Sequence, residues 1–363
     1  MTKLADLERD YQQLLKEHGL QPNVFKATEE EVRQAYANAV STEIGSLRWG
    51  KINVDRILAI INNSTGYQFL VDYLSNKLER TIRRLYPSFD ERVLARDFPT
   101  GSFNALAHPT PNGILLLLNT GLVRFMTEAA WAMAMSFPNP GEVRKDMYEG
   151  WWTSAQHKRQ TAETMARLVL SYLLIEKPLC GKEYKPGQGG IWEMYTSYLA
   201  MAVFNFVLAH EFAHAIEGHL TSGSAILLST PVGNLSLIAK NHKQELEADE
   251  TAALILIVQW SEDAKANPAE KEVLAINSEF VVSGPILFFN LDSLITRVEN
   301  ELFGKKIPQS LTHPPAMERA AAVRKVFYPF GGDSILMMAD GVTDWFSKIE
   351  KDVVDVVKKM TCP

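Results

Sequence analysis

The fold of this chain is decided by the stretch Phe204-Asn205-Phe206-Val207-Leu208-Ala209-His210-Glu211-Phe212-Ala213-His214-Ala215-Ile216-Glu217-Gly218-His219. Its apolar first part contains neither Gly nor Pro, which predicts a helix that runs into the protein interior. Each residue of a helix advances by about 100°, so His210 and His214 lie about 40° apart on one face. Two imidazoles on one face can bind a single ion, and we therefore expect a metal site on this helix.

Glu211 follows the first histidine directly, close enough to hold a metal-bound water and to take its proton. Neutral imidazole ligands, a carboxylate as general base and an open coordination position are the arrangement of zinc-dependent peptidases. The motif therefore indicates Zn²⁺ as cofactor and Glu211 as catalytic base. The alternative, a pair of hydrogen-bonded core histidines, is unfavourable, because burying two imidazoles and a carboxylate on one helix costs free energy unless something compensates.

His219 is the nearest candidate for a third ligand. On a continuing helix it would face away from His210, and its spacing does not match the eleven-residue pattern of the metzincins. Gly218 could end the helix and turn the chain back. We therefore expect His219 to cap the helix or to hold a ligand imidazole in place.

A better third ligand lies downstream, where acidic residues open the apolar stretch 243–256. Glu245 and Asp249 are four residues apart and share one face of the predicted helix. Glu245 can complete a ligand set of two histidines and one glutamate. Asp249 can then orient a ligand imidazole through its outer nitrogen.

Composition places the chain among ordinary globular proteins. It has 363 residues, 46% of them hydrophobic and 22% charged, which suggests one large domain or two. The net charge of −6 gives no electrostatic reason to expect nucleic acid as a partner. The two cysteines, Cys180 and Cys362, are too few for a disulfide framework, which favours a reducing compartment.

No segment of the sequence predicts a membrane anchor or a leader. The first ten residues contain no apolar core of a signal peptide, and Ser283-Gly284-Pro285 interrupts the apolar segment 280–291. We therefore expect a cytoplasmic protein without an integral membrane segment.

Residues 102–118 predict a β-hairpin around the turn 109–113, which reads Pro-Thr-Pro-Asn-Gly. An extended substrate could add to the edge of such a hairpin as another strand. The alternative is a structural hairpin that covers the core. Around it we expect a helical region at 1–99, a catalytic domain at 100–330 and an amphipathic helix at 331–363 that packs on that domain.

Three elements, in this order, resemble the gluzincin metallopeptidases of the HtpX, Oma1 and CAAX-prenyl-protease type. They are His210-Glu211-x-x-His214, Glu245-x-x-Ala248-Asp249, and Thr312-His313-Pro314-Pro315 with Arg319. Upstream, Phe103-Asn104-Ala105 and Asn119-Thr120-Gly121-Leu122 are similar to the strand that these enzymes place along the substrate cleft. The position of His219 also resembles the phage-exclusion peptidase Lit family. The resemblance covers roughly residues 100–330.

The resemblance implies a mainly α (α+β) zincin-like domain with a small β-hairpin or sheet over the metal helix. It also assigns roles to side chains. It implies His210, His214 and Glu245 as zinc ligands and Glu211 as the base. His313 or Arg319 would stabilise the oxyanion, and Asn104 and Ala105 would bind substrate.

The function expected from the sequence is that of a zinc-dependent endopeptidase acting on proteins or peptides. Two alternatives remain open. One is a latent protease of phage defence or stress response, with residues 1–99 as sensor or clamp. The other is a catalytically degenerate zincin scaffold that acts as a binding protein.

Overall fold

The structure, a computed structural model, describes residues 2–20, 67–136, 155–175, 191–221, 225–230, 233–238, 241–266, 271–303 and 313–361, with Arg33 and Ala37. The helices are α1 (Thr2–Glu17), α2 (Gln68–Leu85), α3 (Thr120–Ala134), α4 (Ala155–Ile175), α5 (Ile191–Ile216), α6 (His242–Ala266), α7 (Lys271–Phe303), α8 (Ala316–Phe327) and α9 (Gly332–Thr361). The strands are β1 (Val93–Phe98), β2 (Ala105–Thr110), β3 (Gly113–Asn119), β4 (Ala225–Thr230) and β5 (Gly233–Ile238). Short 3-10 helices follow α5 at His219–Thr221 and α8 at Tyr328–Phe330. The expected mainly α class is confirmed.

Three strands form a small sheet in the order β1-β3-β2. The predicted hairpin is confirmed, since β2 and β3 are antiparallel with Ala105 opposite Leu118. The sequence analysis did not predict β1, which lies inside the region 1–99 and runs parallel to β3. Charged residues obscure this strand, because Arg96 and Asp97 interrupt its apolar pattern. Within the predicted helical region 1–99, residues 21–66 lie outside the described residues, except for Arg33 and Ala37.

Helix α1 covers the face of the sheet that points away from the main core. Four of its side chains pack against side chains from all three strands: Leu7, Tyr11, Leu14 and Leu15 against Leu94, Phe98, Leu106, Leu115 and Leu117. Polar contacts fix its position, since Arg96 Nε donates to Glu8 at 3.0 Å and the Tyr11 hydroxyl donates to the Asp97 carbonyl at 2.8 Å.

Helix α5 is the centre of the main core, as predicted from its apolar sequence. It contacts α3, α6 and α7 and lies beside β2. Asn205 of α5 donates to Gln259 of α6 at 2.6 Å, whereas Thr251 of α6 donates to Glu217, just after α5, at 2.9 Å. Early residues of one helix therefore pair with late residues of the other. The two helices run antiparallel, which brings the start of α6 to the end of α5.

Helix α7 is continuous through Ser283-Gly284-Pro285, so these residues do not break it. Gly284 permits a close crossing with α5, because a Cβ atom there would lie 2.6 Å from the carbonyl carbon of Ala202. Two segments, Glu193–Ile216 and Glu279–Leu302, have the length and composition of a membrane span. The protein buries 83% and 67% of their apolar windows, as it does in core helices, so they are weak evidence for a span.

Helix α9 packs on the main core, where it contacts α7 and α4. Its buried stripe repeats every three to four residues and includes Val342, Trp345, Phe346, Ile349 and Val353. The Trp345 indole donates to Ser136 at 2.7 Å, which satisfies its buried N–H.

Candidate metal centre

Three buried side chains converge where the end of α5 meets the first turn of α6. His210 Nε2 and His214 Nε2 are 3.0 Å apart. Glu245 Oε2 lies 3.5 Å from His210 Nε2, and Glu245 Oε1 lies 3.4 Å from His214 Nε2. One ligand atom from each residue falls within 4.8 Å of the others. The structure thus brings together the three residues that the sequence analysis named as ligands, and this group could hold a metal ion.

The chemistry of these donor atoms fits a cation. Asp249 Oδ1 faces His210 Nδ1 at 2.9 Å, so a neutral His210 that binds a cation would keep its proton on Nδ1 and present the lone pair of Nε2 to the ion. Glu245 Oε2 is buried and has no hydrogen-bond partner among the described residues. Nitrogen ligands of tetrahedral zinc, each about 2.0–2.1 Å from the ion, lie about 3.3 Å apart. The observed 3.0 Å between the two Nε2 atoms is close to that separation.

The charges around the cluster also favour binding of a cation. Glu211, Glu245 and Asp249 are buried, and the buried guanidinium of Arg319 contacts Asp249 and Glu245. Burial alone would lower the pKa of His210, but Asp249 and Glu245 raise it to about 9. Burial would raise the pKa of Glu245, yet its contacts with His210 and His214 lower it strongly. A cation at the centre would neutralise this excess of carboxylate charge.

Arg319 fixes the acidic side chains from behind. Its Nε donates to Asp249 Oδ2 at 2.7 Å and its Nη2 donates to Asp249 Oδ1 at 2.8 Å. The same Nη2 lies 3.4 Å from Glu245 Oε2, and the guanidinium sits 4.9 Å from the centre of the Phe289 ring. Burial favours the neutral acid, but Arg319 and His210 outweigh it and lower the pKa of Asp249. Asp249 therefore stays ionised and can hold the His210 ring.

His313 and Glu211 complete the surroundings of the cluster. His313 lies just before α8 with 48% of its side chain exposed, and its Nε2 is 3.6 Å from Glu245 Oε2. This places it at the boundary between the buried ligands and solvent. Glu211 is buried on α5 beside His210. Thr312, the first residue of the Thr-His-Pro-Pro motif, lies outside the described residues.

His219 contacts the second ligand imidazole. Helix α5 ends at Ile216, and Gly218 takes a positive φ of 70°, a conformation that favours glycine at helix ends. The chain then turns so that His219 Nδ1 lies 3.0 Å from His214 Nδ1. On its far side, His219 Nε2 lies 3.4 Å from Glu247 Oε2. This contact is compatible with the second option of the sequence analysis, in which His219 holds the His214 imidazole, and that role stays a prediction.

Asn104 and Ala105 lie at the start of β2. The Asn104 carboxamide oxygen accepts the Ala105 backbone N–H at 2.9 Å, and Ala105 is buried opposite Leu118. In the part of the chain that the structure describes, β3 is the only strand paired with β2, so β2 forms an edge of the sheet. This strand contacts both α5 and the 3-10 turn that carries His219.

Sequence reasoning missed two participants, Phe289 and Glu247. Phe289 belongs to the apolar face of α7, and nothing in the local pattern separates it from other core residues. Glu247 lies between Glu245 and Asp249 but about 200° around the helix, where a solvent-exposed position is the usual expectation.

A scan against protein-family models found no matching family, and searches among curated proteins and among solved structures found no significant match.

Proposed function

We propose that this protein is a zinc-dependent endopeptidase that hydrolyses peptide bonds in proteins or peptides. The observation that carries the proposal is the convergence of His210, His214 and Glu245 from two helices, with Glu211 buried beside them. Two imidazoles and one carboxylate form a ligand set of catalytic zinc sites that keep a fourth position open. Magnesium and calcium prefer oxygen ligands, so the two imidazoles favour zinc over these ions.

Zinc held by these three side chains would supply an acidified water and a Lewis acid for the scissile carbonyl. Glu211 acts as general base, since its carboxylate takes the proton of the attacking water. It then returns that proton to the leaving amine. Asp249 holds His210 through Nδ1, so that the ring cannot rotate out of position during the reaction.

Among the two candidates for oxyanion stabilisation, the contacts favour His313. Arg319 is 6% exposed and directs Nε and Nη2 at Asp249, so its role in this proposal is to hold that carboxylate. His313 is half exposed beside Glu245 and can donate from its imidazole to an oxygen that develops charge at the mouth of the site.

The substrate is proposed to lie in extended form along β2. Edge strands present unpaired backbone groups to which a peptide can add, and β2 borders the helix that carries the two histidines. Pro109 within β2 has no N–H, which is typical of an edge strand. In this proposal, the backbone of a bound peptide would begin to pair at the strand end where Asn104 and Ala105 lie.

The test of this function is the variant Glu211→Gln, which keeps the shape of the side chain and removes its basicity. We expect wild-type and variant proteins to bind equal amounts of zinc, and only the wild type to generate new N-termini in a proteome-wide search. A Glu211→Gln protein that cleaves at the wild-type rate would exclude Glu211 as the base. A wild-type protein that binds zinc but cleaves nothing would favour the binding-scaffold alternative.

A further inference from the structure

The two ligand imidazoles are held by different chemical groups. His210 Nδ1 faces the carboxylate of Asp249, whereas His214 Nδ1 faces another imidazole, His219, at 3.0 Å. His214 is fully buried and His219 is 5% exposed. The contact between them is therefore shielded from bulk solvent. In such a buried environment a hydrogen bond is stronger than in water, and a polar group left without a partner costs more free energy.

The positions of the ring nitrogens define where the protons lie when both rings are neutral. His214 must present the lone pair of Nε2 to a metal ion, so its proton is on Nδ1. That N–H donates to His219 Nδ1, which accepts and therefore leaves the proton of His219 on Nε2. This second N–H points toward Glu247 Oε2, 3.4 Å away. Each donor thus meets an acceptor in a hydrogen-bond chain that runs from His214 through His219 to Glu247.

Residues at the end of α5 and at the start of α6 form this hydrogen-bond chain. Gly218, with φ of 70°, ends α5, and the following turn is anchored by the buried side chain of Leu220. Helix α6 supplies Glu247 from the turn that also supplies Glu245. The chain ends at the surface, because the Glu247 side chain is 41% exposed and its Oε1 lies 3.1 Å from Lys243 Nζ.

We propose that His219 is a positioning residue that fixes the ring and the tautomer of His214, with Glu247 as its outer partner. The inference rests on the proposed metal site and deepens it. Its role is to keep Nε2 of His214 aimed at His210 and Glu245, and its loss is expected to weaken zinc binding. Partners of ligand histidines typically contribute about 10–100-fold to metal affinity.

The experiment compares two substitutions of one residue in the full-length protein. His219→Ala removes the acceptor, and we expect the zinc dissociation constant to rise by about 10–100-fold. His219→Asn places a carboxamide oxygen near the former Nδ1 and is expected to restore affinity to within about threefold of the wild type, because the hydrogen bond is retained. Competition with a chromophoric chelator measures both, and circular dichroism confirms that each variant is folded.

A spectroscopic readout separates positioning from simple structural support. In the zinc-loaded wild type, ¹⁵N chemical shifts of the imidazoles should show His214 protonated on Nδ1 and His219 protonated on Nε2. The absorption bands of the Co²⁺-substituted protein should change in His219→Ala and return in His219→Asn. Glu250→Gln, on an exposed position of α6, is the matched control and should leave zinc affinity and spectrum unchanged.

Two outcomes of the comparison between the variants would overturn the inference. Wild-type affinity in His219→Ala would show that the contact does not position His214, and equal losses in both variants would show a structural role only. Because no substrate is needed, the result is independent of the proteolytic test. Zinc binding that depends on His219 in a protein without peptidase activity would support this inference and refute the proposed function, whereas a wild type that binds no zinc would refute both.

Discussion

The two sides of the candidate metal centre hold their histidines in contrasting ways. On the inner side, Asp249 and Arg319 form a bidentate ion pair that is almost completely buried. On the outer side, His219 and Glu247 form a chain that reaches solvent. The inner pair belongs to the core of the fold, so a change there affects stability and metal binding together. The outer chain is expected to affect metal binding alone.

The largest effect is expected from breaking the inner side. Arg319→Ala leaves the Asp249 carboxylate buried without its guanidinium, which costs about 3–5 kcal/mol of unfolding free energy. Denaturant unfolding of the metal-free protein measures this cost. The matched control on the same helix is Arg324→Ala, because Arg324 pairs with the exposed side chain of Asp340, and such pairs contribute about 0–1 kcal/mol. Similar losses in both variants would show that burial does not make the Asp249–Arg319 pair more costly to break than an exposed pair.

Removal of the metal is the next largest perturbation, and it acts on both sides at once. Zinc bound to the folded state at a thousandfold excess over its dissociation constant stabilises the protein by about 4 kcal/mol. A chelator should therefore lower the melting temperature of the wild type by several degrees. His210→Ala should melt at one temperature with or without the chelator, since it has lost a ligand. Unchanged melting of the wild type in chelator would argue against the metal centre.

Asp97 of β1 is another buried carboxylate, and it differs from Asp249 in having no guanidinium among its hydrogen-bond partners in the described residues. Burial raises the pKa of Asp97 to about 6, and Tyr67 and Arg96 only partly oppose this. Because its pKa is higher in the folded state than the ordinary 3.8, the folded state binds more protons between these values. Stability should therefore fall as the pH rises from about 4 through 6. The wild type should therefore lose about 1–2 kcal/mol of unfolding free energy between pH 4.5 and 7.5 through this group, and Asp97→Asn should not show that loss. Denaturant unfolding of both proteins at the two pH values measures the difference.

The same contrast explains what could be predicted from sequence. The convergence of His210, His214 and Glu245, with Asp249 beside His210, could be predicted, because helical periodicity places residues four apart on one face and the motif indicates which residue types meet. The partners of Arg319 could not, because they depend on how α8 approaches α6 and α7 in space. Strand β1 was not predicted, because Arg96 and Asp97 interrupt its apolar pattern and because its pairing with β3 is not visible in the local sequence. A truncated chain starting near Thr100 would therefore remove a strand of the sheet along with α1.

The smallest effect is expected at the outermost residue, Glu247. Glu247→Gln keeps an oxygen that can accept from His219 Nε2 and removes a charge that is already half exposed and paired with Lys243. Zinc affinity should therefore fall by less than about threefold, and the difference should vanish near 1 M salt, where the Debye length is about 3 Å. Asp249→Asn is the inner counterpart and should lose at least about tenfold at any salt concentration, because its partners are shielded from solvent. Titration of both variants at low and high salt measures the contrast. Equal, salt-independent losses would mean that the outer chain is as rigidly fixed as the inner ion pair, and that solvent exposure does not separate the two sides.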